Sequence, residues 1–169
     1  VCVVLSDTHG DGETAVRVCG ALAEPVDRIL HLGDNQRDGL RLESRLGVPV
    51  LALKGNCDGG YSQDEYRILP VECGTIYLSH GHMEAVKHGP ENILYKASSL
   101  GCIAAFYGHT HHAIYRDLGG ICLLNPGSLT RPYGGSAGTY ALVRTSLEGL
   151  DVSIRTVDSA DRPTLAETR

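Results

Sequence analysis

Apolar residues along this chain fall in short runs, and the character of those runs changes between the first third and the rest. Val1–Leu5 is continuous, β-branched and apolar and ends in Ser-Asp-Thr-His-Gly, the pattern of a strand buried on both faces that runs into a loop. A helix is expected near Glu13–Ala23. A short strand follows at Arg28–Leu32, closed by Gly33-Asp34, then a helix at Gly39–Leu46 stopped by Gly47 and a strand at Val48–Leu53 closed by Gly55-Asn56. Strand, helix, strand, helix, strand in residues 1–55 predicts right-handed crossovers and a parallel sheet with helices packed on it.

The later runs lie too close together for crossovers. Tyr66–Glu72 and Thr75–Ser79, joined at Cys73-Gly74, predict a hairpin, and a helix near Pro90–Ser99 has proline in its first turn and Gly101 beyond its end. Further strands are expected at Cys102–Tyr107, Ala113–Asp117, Ile121–Leu124, Thr139–Arg144 and Val152–Val157, the last four largely in hairpins. Parallel units first and hairpins later predict an α/β sandwich, with a mixed sheet or two stacked sheets and helices on the outer faces. Residues 1–157 form one domain in this reading, and 158–169 form a polar C-terminal tail.

Composition narrows the class. The chain has 169 residues, 42% of them hydrophobic and 21% charged, which suits one soluble globular domain with a substantial core. The longest apolar runs, Val1–Leu5 and Cys102–Tyr107, are far short of the ~18 residues of a membrane-spanning helix, so no membrane partner is expected. Nothing reads as a signal peptide, and because the chain opens at Val1 the native N-terminus is left open. Several of the six cysteines sit inside apolar runs, where a reduced thiol acts as a small hydrophobe, and a cytoplasmic location is expected. A net charge of −5 with scattered basic residues argues against an extended nucleic-acid surface. Oligomeric state is left open, a homo-oligomer included.

Residues with chemistry recur at the ends of the expected strands. Asp7 and His9 follow the first, Asp34 the second and Asn56 the third; His80 ends a later strand, and His109 and His111 follow the next. The steps of 25, 22, 24 and 29 residues from His9 to Asp34, Asn56, His80 and His109 each match one βα unit or a hairpin plus helix. They therefore return the chain to the same edge, where open α/β sheets bind ligands. Two carboxylates, one amide oxygen and four imidazoles make a hard-to-borderline ligand set. Seven ligands exceed one ordinary site and suit two metals about 3.5–4 Å apart that share a carboxylate.

Singly, each piece is ordinary. An Asp-x-His or Gly-Asp turn is usually a strand-end cap, and His80 alone suits a satisfied core histidine. In "GHTHH", Gly108–His112, the imidazoles are compatible with metal ligation, acid–base work, a pH-sensitive surface or chance. The ordered combination is what carries weight.

The segments "SDTHG", "HLGDN", "KGNCD", "LSHGH", "YGHTHH" and "NPGS" resemble the calcineurin-like metallophosphoesterase family, in particular its small YfcE-like phosphodiesterase branch, over residues 1–157. The resemblance implies a four-layer α/β/β/α sandwich of two mostly mixed sheets flanked by helices. It implies two divalent transition-metal ions, Mn²⁺ favoured with Ni²⁺, Fe²⁺ or Zn²⁺ as alternatives. One would be held by Asp7, His9, Asp34 and His111, the other by Asp34, Asn56, His80 and His109. A hydroxide bridging the ions would attack a small phosphodiester substrate, with Asp34 and Asn56 in the catalytic machinery. Phosphomonoesterase or nuclease activity are the enzyme alternatives. A non-catalytic scaffold like the retromer subunit is the third, disfavoured by the complete ligand set.

Other positions are secondary. The broader family often has histidine where this chain has Cys57, which is expected to line the site, leaving-group protonation falling to water or His82. Asp58 is expected to orient neighbours or merely to form a turn. Arg131 is a candidate phosphate contact, and Tyr115 and Tyr133 are candidate stacking residues. His31 is expected in the core or behind the ligands, and His88 and His112 on the surface.

Overall fold

The computed structural model describes residues 1–59 and 66–157, together with the short strand 163–165. Most of the expected polar tail therefore lies outside the described residues. The elements are β1 (Cys2–Leu5), α1 (Gly12–Gly20), β2 (Arg28–His31), α2 (Gln36–Leu46), β3 (Val50–Ala52), β4 (Tyr66–Val71), β5 (Gly74–Ser79), α3 (Glu91–Ser99), β6 (Ala104–Phe106), β7 (Ala113–Leu118), β8 (Ile121–Pro126), β9 (Thr139–Ser146), β10 (Gly149–Val157) and β11 (Pro163–Leu165).

Two mixed sheets form. One has six strands in the order β11-β10-β9-β1-β2-β3, and the other five in the order β4-β5-β6-β8-β7. β1, β2 and β3 are parallel, as the alternating first third requires, and β9 closes antiparallel on β1. In the second sheet β5, β6 and β8 run parallel, with antiparallel β4 and β7 at the edges. β7 turns into β8 through Gly119-Gly120, both at positive φ (66° and 84°), the backbone that a two-residue hairpin turn needs.

Strand alternation explains the layers. In β1, Val3 and Leu5 face one way, into a cluster with Ala15 and Val18 of α1 and Leu42 of α2. Val4 faces the other way, into a cluster with Leu30, Leu78, Phe106 and Leu124 that joins the two sheets. The second sheet repeats the rule: Ile76 and Leu78 point between the sheets, whereas Tyr77 packs with Ile93 and Ala97 of α3. Three apolar layers between four structural ones give the α/β/β/α sandwich. Burying each Leu, Ile or Phe contributes about 1.5–3 kcal/mol.

Two helix boundaries deviate, that of α2 because its cap is nonlocal. α1 stops at Gly20, short of the expected Ala23, and α2 starts at Gln36, three positions before the expected Gly39. Asn35, its N-cap, makes no side-chain capping bond. The Asp58 carboxylate, from the loop after β3, instead accepts the N–H of Asn35 at 3.1 Å and of Gln36 at 2.9 Å. A helix start satisfied from another segment has no local sequence signal.

Candidate functional site

The loops after β1, β2, β3, β5 and β6 meet at one end of the sandwich. Asp7 N–H donates to the Gly33 carbonyl and His9 N–H to that of Asp34, and across the sheets His109 N–H donates to Asp7 Oδ2 at 3.0 Å. Such proximity restricts side chains. A Cβ at Gly108 would lie 2.0 Å from Ser6 Oγ, and one at Gly55 would lie 2.1 Å from Asp34 Oδ1, so both positions require glycine on space alone. Asp7, His9, Asp34, Asn35, His109 and His111 all have positive φ, and among the described residues Ala85 is the only other non-glycine that does. Left-handed backbone concentrated on ligand-type residues is strain of the kind stored at functional sites.

The structure brings Asp7, His9, Asp34 and His111 together, one ligand atom from each lying within 4.8 Å of the others. His9 Nε2 is 3.2 Å from His111 Nε2 and 3.8 Å from Asp34 Oδ2, and His111 Nε2 is 3.1 Å from Asp7 Oδ1. Asp34 also faces the next group: its Oδ1 lies 3.4 Å from His80 Nε2, which is 3.2 Å from Asn56 Oδ1. The His109 ring lies 5.0 Å from that of His80, centre to centre. Asp34 thus sits between the two halves of the expected ligand set.

These atoms suit cations. Asp7 Oδ1 is buried and makes no hydrogen bond of acceptable geometry, an expensive state for a carboxylate oxygen. His80 Nδ1 is 2.8 Å from the Leu32 carbonyl and His111 Nδ1 is 2.6 Å from that of Arg131, so each ring donates its Nδ1–H backwards. The Nε2 lone pairs are left facing the carboxylates, an arrangement typical of metal-binding imidazoles. Lone pairs converging on lone pairs repel unless a positive charge lies among them.

Ionisation fits. Burial would raise the Asp7 carboxyl, but the adjacent His111 imidazole outweighs it and holds the pKa below the ordinary value. Burial lowers His9, opposed by Asp34 and Asp7. Burial, with His80 and Lys87 nearby, takes His109 down to about 4; both shifts favour the neutral ring that can ligate. The adjacent Asp7 carboxylate raises His111, against burial, so a proton and a cation compete for its Nε2.

The secondary candidates divide. Asp58 ties the Asp34 and Asn56 loops together, also accepting Gly55 N–H at 2.9 Å. Cys57 contacts Asp34 through its backbone N–H at 2.9 Å, while its exposed thiol is pushed up to about 11, chiefly by desolvation and then by Asp34. The His82 ring packs 5.4 Å from His80 and 6.1 Å from His109. Arg131 and Tyr133 line a cavity of about 670 Å³ beside His109 and His111, whereas Tyr115 packs on the core between the sheets and does not line it. His112, expected on the surface, lines that cavity and meets Tyr133 edge to face.

Sequence reasoning missed two supports. Thr8 Oγ1 donates to Asp38 Oδ2 at 2.6 Å and lies 2.9 Å from His31 Nε2, a buried network beneath Asp7 and His9. Glu84, buried, accepts from Tyr77 and Ser79 at 2.7 Å and from Lys96 at 3.1 Å, tying the His80–His82 loop to β5 and α3. The available signal was a carboxylate on the apolar face of α2 and a lone acid in the apolar stretch Met83–Val86.

Residues 1–148 match the model of the calcineurin-like phosphoesterase superfamily domain. The chain belongs to that superfamily. It is 32% identical to a probable metallophosphoesterase, YsnB, of Bacillus subtilis (strain 168), over 94% of this chain and 90% of that protein. It is 31% identical to the phosphodiesterase YfcE of Escherichia coli (strain K12), over 82% and 84%. The crystal structure of a predicted phosphoesterase from Streptococcus pneumoniae TIGR4 superposes with a TM-score of 0.78 at 27% identity, covering 92% of this superfamily member and 88% of that chain. None of the described helices is long and apolar enough to cross a membrane.

Proposed function

We propose that this chain is a phosphodiesterase with a dinuclear centre, one ion held by Asp7, His9, Asp34 and His111 and the other by Asp34, Asn56, His80 and His109. The observation that carries the proposal is the convergence of ligand-type atoms around Asp34, one of whose oxygens faces His9 at 3.8 Å and the other His80 at 3.4 Å. Mn²⁺ is the favoured metal, Ni²⁺, Fe²⁺ and Zn²⁺ being compatible with the same N/O set. When bound, two such ions supply an activated water and positive charge against the phosphoryl oxygens.

The chain's own residues do the rest. Asp34 holds the two halves of the site in register, its Oδ1 fixed by Cys57 N–H. Asn56, on an exposed loop whose Gly55 is anchored by Asp58, presents an amide to the substrate oxygens as charge develops there. The guanidinium of Arg131, which has no ion pair among the described residues, attracts the anionic substrate. Leaving-group protonation is assigned to water or His82, because a thiol near 11 donates poorly at neutral pH. The relation to YfcE favours diesters over monoesters, and the net charge of −5 disfavours long nucleic acids. A soluble cytoplasmic enzyme is the setting.

The test is a panel of aryl phosphomonoesters and phosphodiesters assayed with Mn²⁺, Ni²⁺ and Zn²⁺, alongside metal titration by calorimetry. Two equivalents bound and diester turnover exceeding monoester turnover are expected. Protein that binds no metal and turns over neither ester would sink the proposal and leave a scaffold role.

A further inference from the structure

Two cavities meet different edges of the ligand cluster, and they differ in size and chemistry. The larger, about 670 Å³, is walled by Val86, His109, His111, His112, Arg131 and Tyr133 among others. The smaller, about 210 Å³, is walled by His9, Asn35, Cys57 and Arg131. Arg131 alone belongs to both.

The wall of the larger cavity is held in place by a proposed metal ligand. Tyr133 N–H donates to the His111 carbonyl at 3.0 Å, the Arg131 carbonyl lies 2.6 Å from His111 Nδ1, and Arg131 N–H donates to Ser128 Oγ at 2.8 Å. Tyr133 is 68% exposed as a residue and its ring stands 5.6 Å from the His112 ring, edge on, which leaves room for a planar group against it. Lys87 borders the same cavity and adds a second cation there. The smaller cavity offers an amide, a thiol and no aromatic ring beyond His9.

A phosphodiester is one anionic phosphorus with two organic arms, whereas a monoester has one arm and more charge. One guanidinium, without an ion pair among the described residues, between two unlike cavities matches the first description. Resting on the phosphodiesterase reading above, we propose that the substrate is an asymmetric phosphodiester. Its aromatic arm lies in the larger cavity against Tyr133 and His112, its small polar arm lies in the smaller, and Arg131 holds a non-bridging oxygen between them. Tyr133 and Arg131 are then specificity-determining residues. Lys87 favours an aromatic arm that carries acceptor oxygens, as a nucleoside does, over a bare hydrocarbon.

The test uses inert phosphinate anions, which carry two arms and one negative charge but no cleavable ester. Calorimetry on the Mn²⁺-loaded protein should show methylphenylphosphinate binding about 3- to 10-fold tighter than dimethylphosphinate, the range of one aromatic contact. Diphenylphosphinate should gain nothing further, since only one cavity accepts a ring. Tyr133→Ala should abolish the preference, Tyr133→Phe should keep it, and Arg131→Ala should weaken all three anions together. Equal binding of the methylphenyl and dimethyl anions, or a preference that survives Tyr133→Ala, would overturn the assignment. Hydrolysis of methyl p-nitrophenyl phosphate, which carries one aryl and one small arm, by the same preparation separates the two levels. No turnover there counts against the phosphodiesterase reading, whereas turnover without a phosphinate preference counts against the two-cavity assignment alone.

Discussion

Replacing Asp58 with alanine should both destabilise the protein and weaken the proposed metal centre. Its carboxylate accepts N–H groups from Asn35 at 3.1 Å, Gln36 at 2.9 Å and Gly55 at 2.9 Å. The first two are the capping bonds of α2, whose own N-cap residue contributes none. Losing a cap costs about 1 kcal/mol, and the additional charge-assisted bond, in a half-exposed setting, brings the total to about 2–3 kcal/mol. For a chain of this size that lowers Tm by about 4–12 °C. Because the same carboxylate joins the Asp34 loop to the Asn56 loop, Mn²⁺ affinity should fall by about 10- to 100-fold, as for other residues that orient ligands. Urea unfolding in EDTA reads the first effect without metal, and calorimetric titration reads the second. Asp58→Asn, which keeps one accepting oxygen, should fall between wild type and alanine in both. An Asp58→Ala protein that unfolds at the wild-type urea midpoint would refute the capping role.

Three further outcomes follow from the site. His111→Ala should lose the ion assigned to Asp7 and His9 first, and His109→Ala the ion assigned to Asn56 and His80. His112→Ala should leave metal stoichiometry unchanged, and loss of metal there would show that the register is wrong. Cys57→Ala should keep most activity, because the contact with Asp34 is made by the backbone N–H; kinetics as impaired as those of Asp34→Ala would contradict this. Burial takes His31 down to about 4 from 6.5, opposed by Asp38 and Asp7. The unfolded chain therefore binds the extra proton between those values, and stability present above pH 6.5 is lost as pH falls towards 4, by up to roughly 3 kcal/mol. Urea midpoints across that range should show a flatter decline for His31→Gln than for wild type.

Apolar runs reveal the strands and helices from β1 to β10, because an apolar face is written into the chain itself; β11, inside the expected polar tail, was not anticipated. The run Val1–Leu5 reads as buried on both faces, and the structure gives its two sides to two different cores; two stacked sheets rather than one mixed sheet came from the family resemblance alone. The site residues stood out because each follows a strand. Asp38 and Glu84 did not, since a buried carboxylate looks like any surface acid until its partners, Thr8 for one and Tyr77, Ser79 and Lys96 for the other, are known. The start of α2 was hidden for a related reason: its cap comes from Asp58, 22 residues away. Role also depended on neighbours, since His112 reads as an ordinary surface residue until Tyr133 is placed beside it.

The left-handed backbone at Asp7, His9, Asp34, Asn35, His109 and His111 restricts inheritance as well as chemistry. Glycine, asparagine and aspartate tolerate that conformation, while β-branched residues do not. A descendant released from any need for metal would drift freely in charge at these points but not in shape. Its loops would still carry small or amide side chains where the proposed ligands stand, a conformational fossil of the proposed centre.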